Sequence, residues 1–314
     1  MKISKVSDMN MNSSSTPLVV VVFNRPDHAR ALRRLLVDQE SRDLYVIVDG
    51  PRGSKVGERA LVEECVSIFK DWPGQVQFNI SDKNLGCKVR ISTGLDWVFE
   101  RTERAIILED DLSPSPMFFK YCDEMLEAYA DSPEVMSVCG TKTYPGVIEQ
   151  SQYFFSTYNN CWGWATWRRA WTHYSDNFGY LSSFQLIRTL KGILGSYRAG
   201  FYWFILYQMV VTGKRSSWAY CWMITCFLKG GLHVYPASNL VVNNGFGADS
   251  THTSITEPYM PRVYGRDLSF PVLSSHVEKV AFALADTWIE DNIYSKSVGV
   301  RLEWLKRRLF KNQD

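Results

Sequence analysis

The 314-residue sequence predicts an α/β fold built on a mostly parallel central sheet with helices on both faces. Three observations predict it. Short uninterrupted apolar runs recur at Leu18–Phe23, Leu44–Val48 and Ala105–Leu108, as strands buried on both faces require. Segments of helical periodicity separate those runs, the alternation of a doubly wound sheet. A chain of this length with 46% hydrophobic and 22% charged residues can also bury a sizeable core.

The elements follow in order. Met1–Thr16, rich in Ser and Asn, is expected to be a flexible leader. Leu18–Phe23 forms the first strand, and Pro26 precedes a helical pattern over Asp27–Val37. Leu44–Val48 is a second strand, ended by Asp49-Gly50-Pro51, and Val56–Lys70 is helical. Val76–Ile80 is a third strand and Lys88–Glu100 another helix. Ala105–Leu108 is a fourth strand that runs directly into Glu109-Asp110-Asp111. Pro116–Ala130 is helical and Val135–Cys139 is a fifth strand. From Tyr153 onward the pattern changes to Trp-rich segments, helices around Phe201–Thr212 and Trp218–Lys229, and an apolar strand at Leu240–Val242. Ser274–Asp314 reads as a helical tail.

Composition excludes some classes. A net charge of +2 is too small for bulk nucleic-acid binding, so no nucleic-acid partner is expected. The seven cysteines are scattered without a C-x-x-C pair, which suggests reduced thiols in a cytoplasmic protein. Met1–Thr16 lacks the apolar centre of a signal peptide. The longest apolar stretch, Phe201–Val211, is too short to span a bilayer. The last turns alternate Arg301, Lys306, Arg307, Arg308 and Lys311 with Leu302, Trp304, Leu305, Leu309 and Phe310. That basic amphipathic segment is either a closing helix or a peripheral anchor on the inner face of the membrane.

In open α/β sheets ligands bind beyond the carboxyl ends of the strands, so the polar residues there carry most weight. The first strand ends in Phe23-Asn24-Arg25-Pro26, which has no glycine, so a dinucleotide fingerprint is absent. Arg25 offers a guanidinium suited to a diphosphate, or alternatively a local ion pair. Asp49 at the end of the second strand can accept from a base or a ribose hydroxyl; an ordinary Asp-Gly turn is the plain alternative. Glu109-Asp110-Asp111 is the stronger signal. Adjacent acids at the end of a buried strand repel one another and are hard to desolvate without a cation, and carboxylates suit Mn²⁺ or Mg²⁺. Lys88 and Arg90 at the start of a helix are placed to meet phosphate, or are solvated cations. Of the many tryptophans most belong in the core, although Gly163 between Trp162 and Trp164 suggests a loop close to a ligand.

The order of an N-R-P turn, a strand ending Asp-Gly, an N-L-G-x-K helix start and a strand ending E-D-D resembles the GT-A glycosyltransferases. The likeness extends to the N-acetylglucosaminyltransferase I-like group and to bacterial polysaccharide glycosyltransferases. Cys161–Trp171 (CWGWATWRRAW) and Asn239–Thr253 (NLVVNNGFGADSTHT) are similar to segments of the bacterial enzymes. The resemblance implies a Rossmann-like GT-A fold and an inverting, Mn²⁺- or Mg²⁺-dependent transfer from a nucleotide-diphosphate sugar, UDP-linked. The implied acceptor is an oligosaccharide or lipid-linked glycan, as in O-antigen synthesis. It divides the chain into a leader (1–16), a nucleotide-sugar-binding half (17–150), an acceptor-binding half (151–260) and a C-terminal helical extension (261–314). It implies donor contacts from Asn24, Arg25, Asp49, Lys88, Arg90, Asp110 and Trp164. It makes Asp111 the principal metal ligand with His252 beside it, and brings Glu109 to the donor sugar.

One position departs from the pattern. An inverting transfer needs a general base, and the segment that would carry an acid has Ala219 instead. The base was removed by engineering, or lies elsewhere (Asp249, Asp176 or Glu257), or the protein is inactive. Two rival functions remain: a non-catalytic glycan-binding protein on the same scaffold, and a sugar-phosphate nucleotidyltransferase. The latter lacks its expected Gly-rich loop, since Phe23–Arg30 contains no glycine.

Overall fold

In a computed structural model, the structure describes residues 15–149, 151–178, 181–245, 261–274 and 277–294. The first part alternates strand and helix as β1 (Leu18–Val22), α1 (Pro26–Leu35), β2 (Leu44–Val48), α2 (Glu58–Lys70), β3 (Val76–Ile80), α3 (Gly86–Phe99) and β4 (Arg104–Glu109). Then come β5 (Leu112–Pro114), α4 (Pro116–Ala128), β6 (Val135–Cys139), β7 (Tyr153–Ser156), β8 (Trp164–Trp167) and the single turn α5 (Arg168–Trp171). The later part comprises α6 (Ser183–Leu194), α7 (Tyr197–Val211), α8 (Trp218–Leu228), β9 (Leu232–Pro236), β10 (Val241–Asn243) and α9 (Ala283–Ile289).

Eight strands form one sheet in the order β3-β2-β1-β4-β8-β6-β9-β7. The parallel register is set by Leu18, which faces Leu44 on one side and Ile106 on the other. The pleat sends alternate side chains to opposite faces. Val20, Val46 and Leu108 pack with α1, α2 and α4 in one apolar layer; Val19, Ile47 and Ile107 pack with α3, α5 and α8 in the other. Strands so buried need apolar side chains at every position, which is why β1 and β2 read as continuous runs.

The sheet is mixed. β8 runs antiparallel between β4 and β6, and β7 is antiparallel to β9. The insertion of β8 depends on the turn at Gly163, whose φ is +65°, and on Gly140, whose N–H donates to the Gly163 carbonyl at 2.7 Å. A β-carbon on Gly140 would lie 2.8 Å from that same oxygen.

Two further arrangements position the site. β5, just past the acidic triplet, pairs antiparallel with β10, so Asn243 lies opposite Leu112. Of the tail expected to be helical, residues 277–282 are not in a helix. Within 261–294 the helical pieces are the short 3₁₀ turn Val272–Ser274, α9 and a π turn at Glu290–Tyr294; 295–314 lies outside the described residues. α9 is tied to β7 because Asp286 accepts from the Ser156 hydroxyl at 2.6 Å and the Thr157 N–H at 3.1 Å. Among the described residues no helix is long and apolar enough to cross a membrane.

Candidate active site

The carboxyl ends of β1, β2 and β4 open into a cleft of about 850 Å³ whose lining includes Asn24, Arg25, His28, Asp49, Arg52, Glu109 and Asp110. Arg25 follows β1 and stands at the N-terminus of α1. Pro26 occupies the first turn of α1, and no side chain caps its free N–H groups. That helix end therefore presents unpaired donors and the positive pole of its dipole to the cleft.

Arg25 binds the acids after β4. Its Nη2 pairs with Asp110 Oδ1 and lies 3.1 Å from Asp111 Oδ2, while Nε is 3.3 Å from Asp110 Oδ2. The Asp110 backbone is fixed by its N–H donating to the Val21 carbonyl at 3.1 Å. Glu109 continues the face of Ala105 and Ile107 and is directed toward the α3 layer, where Cys87 also lines the cleft. Asp110 takes the opposite face. Three consecutive acids at a strand end therefore do not converge on one point. Among the described residues no three His, Cys, Asp or Glu side chains form a metal-holding group.

The electrostatics are nonetheless strained. Two carboxylates meet one guanidinium and Glu109 stands near enough to interact with all three, a surplus of two negative charges when all are ionised. Burial pushes the Asp110 carboxyl up to about 7; Arg25 opposes that shift and Asp111 adds to it. Glu109 is raised too, first by burial and then by Asp111 and Asp110. Arg25 is held above its ordinary value, its two acids outweighing the burial that lowers it. Burial also lifts the Cys87 thiol to about 12, with Glu109, Asp49 and Asp111 adding to it, so this cysteine is no nucleophile at neutral pH.

Asp49 is already engaged. Oδ1 accepts from the Gly50 and Leu85 N–H groups at 2.9 Å each, and Oδ2 from the Asn84 side chain and the Gly86 N–H at 3.0 Å each. A carboxylate has about four acceptor sites, and all are filled. Asp49 thus pins the loop that begins α3. Gly50 is required there, because a β-carbon would lie 2.5 Å from the Lys83 backbone.

Several of the expected donor contacts already have partners within the chain. Arg90 lines the cleft but is 4% exposed and already engaged: its Nε donates to the Val48 carbonyl at 3.0 Å and its Nη2 to the Asn79 carbonyl at 2.7 Å, which braces β2 against β3. Lys88 pairs with Asp176 at 2.9 Å and does not line the cleft. Trp164 is 1% exposed and packs among Trp171, Trp218 and Trp222, leaving no ring face for a sugar. Asn24 does line the cleft, but its side chain donates to Glu58 at 2.9 Å. Ala219 is half-buried on α8 against the layer that Glu109 faces. Asp249, His252 and Glu257 lie outside the described residues.

The cleft also holds an arginine and a histidine that the sequence pattern did not reveal. Arg52 is paired with Glu58 and sits over the Phe23 ring, 5.4 Å from its centroid. His28 is in the first turn of α1. The only local signal for either was proximity to a strand end.

No protein-family model matches the chain, and no curated protein does. Among solved structures it is similar to the mannosyltransferase PcManGT from Pyrobaculum calidifontis, determined in complex with GDP-Man and Mn²⁺. That similarity has 12% identity and a TM-score of 0.36, over 68% of this chain and 69% of that one. It is also similar to the apo WbbM bifunctional glycosyltransferase, at 12% identity and a TM-score of 0.29, over 58% of this chain and 36% of that one. Superpositions this loose place no residue, so the chemistry has to come from the cleft itself.

Proposed function

We propose that this chain is a glycosyltransferase that binds a nucleotide-diphosphate sugar, UDP-linked, between Arg25 and the Glu109-Asp110-Asp111 turn. One observation carries the reading: a guanidinium, an uncapped helix N-terminus and the carboxylates of Glu109 and Asp110 share one cleft at the ends of adjacent parallel strands, with Asp111 held to the same guanidinium. The helix end and Arg25 suit phosphate oxygens. The uncompensated carboxylates suit a cation that those phosphates would also bind.

The donor set fits Mn²⁺ or Mg²⁺ in the manner of ions that take one or two carboxylates and complete their shell from phosphate and water. Asp111 is the ligand of choice, with His252 as its proposed companion. A bound ion would neutralise the diphosphate as it leaves. The chain's own groups do the rest. Arg25 holds the diphosphate and keeps Asp110 in place, and Asp49 shapes the base end of the cleft by fixing the Asn84-Leu85-Gly86 loop. Glu109 faces the sugar.

Transfer forms a bond from an acceptor hydroxyl oxygen to the anomeric carbon, with inversion, and breaks the bond from that carbon to the diphosphate. The acceptor's proton needs a base. Ala219 cannot supply one, and Asp249 is the proposed substitute. The acceptor is an oligosaccharide or lipid-linked glycan of a bacterial surface polysaccharide such as O-antigen, met at the cytoplasmic face of the membrane. The basic segment 301–311 is a proposed peripheral contact there.

The half-buried Ala219 favours one second reading, a glycan-binding protein that retains a transferase scaffold without turnover. Calorimetry with UDP and with GDP, each with and without Mn²⁺, separates the two. Metal-dependent nucleotide binding supports the transferase; glycan binding with no nucleotide affinity overturns it.

A further inference from the structure

The small net charge conceals a one-sided segment. Between Asp176 and Asp249 the chain contains no acidic residue, yet Arg188, Lys191, Arg198, Lys214, Arg215 and Lys229 all fall there. The α6–α7 hairpin is the largest structural piece of this stretch. Its inner face buries Leu186, Leu190, Trp203 and Leu206 in a cluster shared with α8 and α9. Its outer face sets exposed aromatic rings among polar and basic residues, where a solvated helix face would carry polar residues alone. Phe184 is 73% exposed, Tyr197 68% and Phe201 45%.

These aromatics and the cations belong to one surface. Arg188 and Lys191 follow Phe184 by four and seven residues, which places all three on one stripe of α6. The Lys191 ammonium lies 5.2 Å from the Tyr197 ring centroid, joining that stripe to the start of α7. Gly200 lets the helices approach closely, since a β-carbon there would lie 2.9 Å from the Ile187 carbonyl and the Lys191 N–H; Phe201 emerges beside that seam. Arg198 is paired with Asp291, whereas Arg188, Lys191 and Lys214 have no acidic partner among the described residues.

We propose that the outer face of the α6–α7 hairpin docks on an anionic lipid surface. Exposed aromatic rings enter the headgroup boundary, and neighbouring cations gain from anionic phosphates only where no carboxylates repel them. The segment contributes no acid of its own, and Asp291, which reaches it from outside, is neutralised by its pair with Arg198. Aromatic rings interleaved with cations match the boundary layer of such a surface, where the rings meet acyl chains and the cations meet phosphate. The inference does not depend on sugar transfer, and it concerns different residues from segment 301–311.

The test is co-sedimentation of the full chain with vesicles of phosphatidylcholine alone and of phosphatidylcholine mixed with phosphatidylglycerol. Binding is expected to the mixed vesicles only and to weaken with salt. The double variant Phe184→Ser, Phe201→Ser should reduce it at least tenfold while keeping the circular-dichroism spectrum. Phe184→Trp should show a blue-shifted emission on mixed vesicles. The proposal is overturned by absence of binding to mixed vesicles, or by binding that the double variant leaves intact. It is also overturned by binding abolished through Arg307→Glu, Arg308→Glu alone, by preferential capture of RNA over vesicles, or by self-association that the double variant abolishes.

Discussion

Gly245 and Asp111 are packed so closely that a methyl group on Gly245 would overlap the Asp111 carboxylate oxygen Oδ2 and lie 2.9 Å from Cγ. The contact is created by the β5–β10 ribbon. Asn244 donates its N–H to the Asp111 carbonyl at 2.8 Å, which holds residue 245 against the acidic turn. Only a residue without a side chain leaves the carboxylate where it is.

Gly245→Ala should therefore displace the Asp111 carboxylate without emptying the core. Its expected effect is at least a tenfold loss of Mn²⁺-dependent nucleotide affinity, comparable to that of Asp111→Asn. Calorimetry with nucleotide and Mn²⁺ reads it, and thermal melting confirms that the fold persists. Unchanged affinity in both variants would remove Asp111 from the proposed metal site.

Among the basic residues, Arg25 should dominate. Arg25→Ala removes the guanidinium and leaves Asp110 buried without its partner, so nucleotide binding should fall at least tenfold and stability by about 1–3 kcal/mol. Lys88→Ala should change nucleotide affinity less than twofold, because Lys88 is engaged with Asp176 away from the cleft. Parallel titrations of the two variants check this; equal losses would restore Lys88 to the donor site.

That contrast also marks how far the sequence could be read. β1, β2, β4 and β6 were legible to within a residue or so, since strands buried on both faces must be apolar throughout, and the edge strand β3 was legible from its alternation of apolar and polar residues. β7, β8 and β9 were not. WATW and YFFS carry no alternation, and the antiparallel placement of β8 depends on Gly140 meeting Gly163, a contact with no local signature. Arg25 and the acidic turn were legible because strand ends in such sheets face ligands. The bracing role of Arg90 was not legible: it sits at a helix start in the cleft lining, but its partners Val48 and Asn79 lie on two strands distant in sequence. Trp164 misled, because Gly163 serves the sheet turn and not a ligand loop.

His233 should make the fold acid-sensitive. It is buried, with Nδ1 2.8 Å from the Ser137 hydroxyl, and Nε2 has no hydrogen-bond partner. Burial lowers its pKa from 6.5 to about 3. The unfolded chain thus takes up a proton near pH 6.5 that the native chain refuses until about pH 3. Its contribution is complete above about 6.5 and declines as pH falls through that window, by up to about 1.4 kcal/mol per pH unit. Glu109 and Asp110, raised by burial, act in the opposite direction over part of the range. The measurement is therefore a difference: urea unfolding of the native sequence and of His233→Gln at pH 7.5, 6 and 5. The native sequence should lose more stability on acidification; parallel curves would refute this role.

Ala219→Asp is the change that asks most of the site. Ser217 is the N-cap of α8, so residue 219 lies in the first turn, which carries no acid and has no side-chain cap. A carboxylate there interacts favourably with the helix dipole, by about 0.3–1 kcal/mol, which partly offsets its half-burial beside Trp218 and Trp222. The fold should therefore tolerate it. Position 219 also packs against the layer that Glu109 faces, on the side proposed for the donor sugar. If turnover is limited by the lack of a base, the new carboxylate should raise it by roughly 10²–10⁴-fold, the usual contribution of a positioned base, with little change in nucleotide affinity. Nucleotide release in the presence of acceptor measures this. An unchanged rate with full donor binding would show that the proton leaves by another route, and Asp249→Asn would then be the variant to abolish turnover.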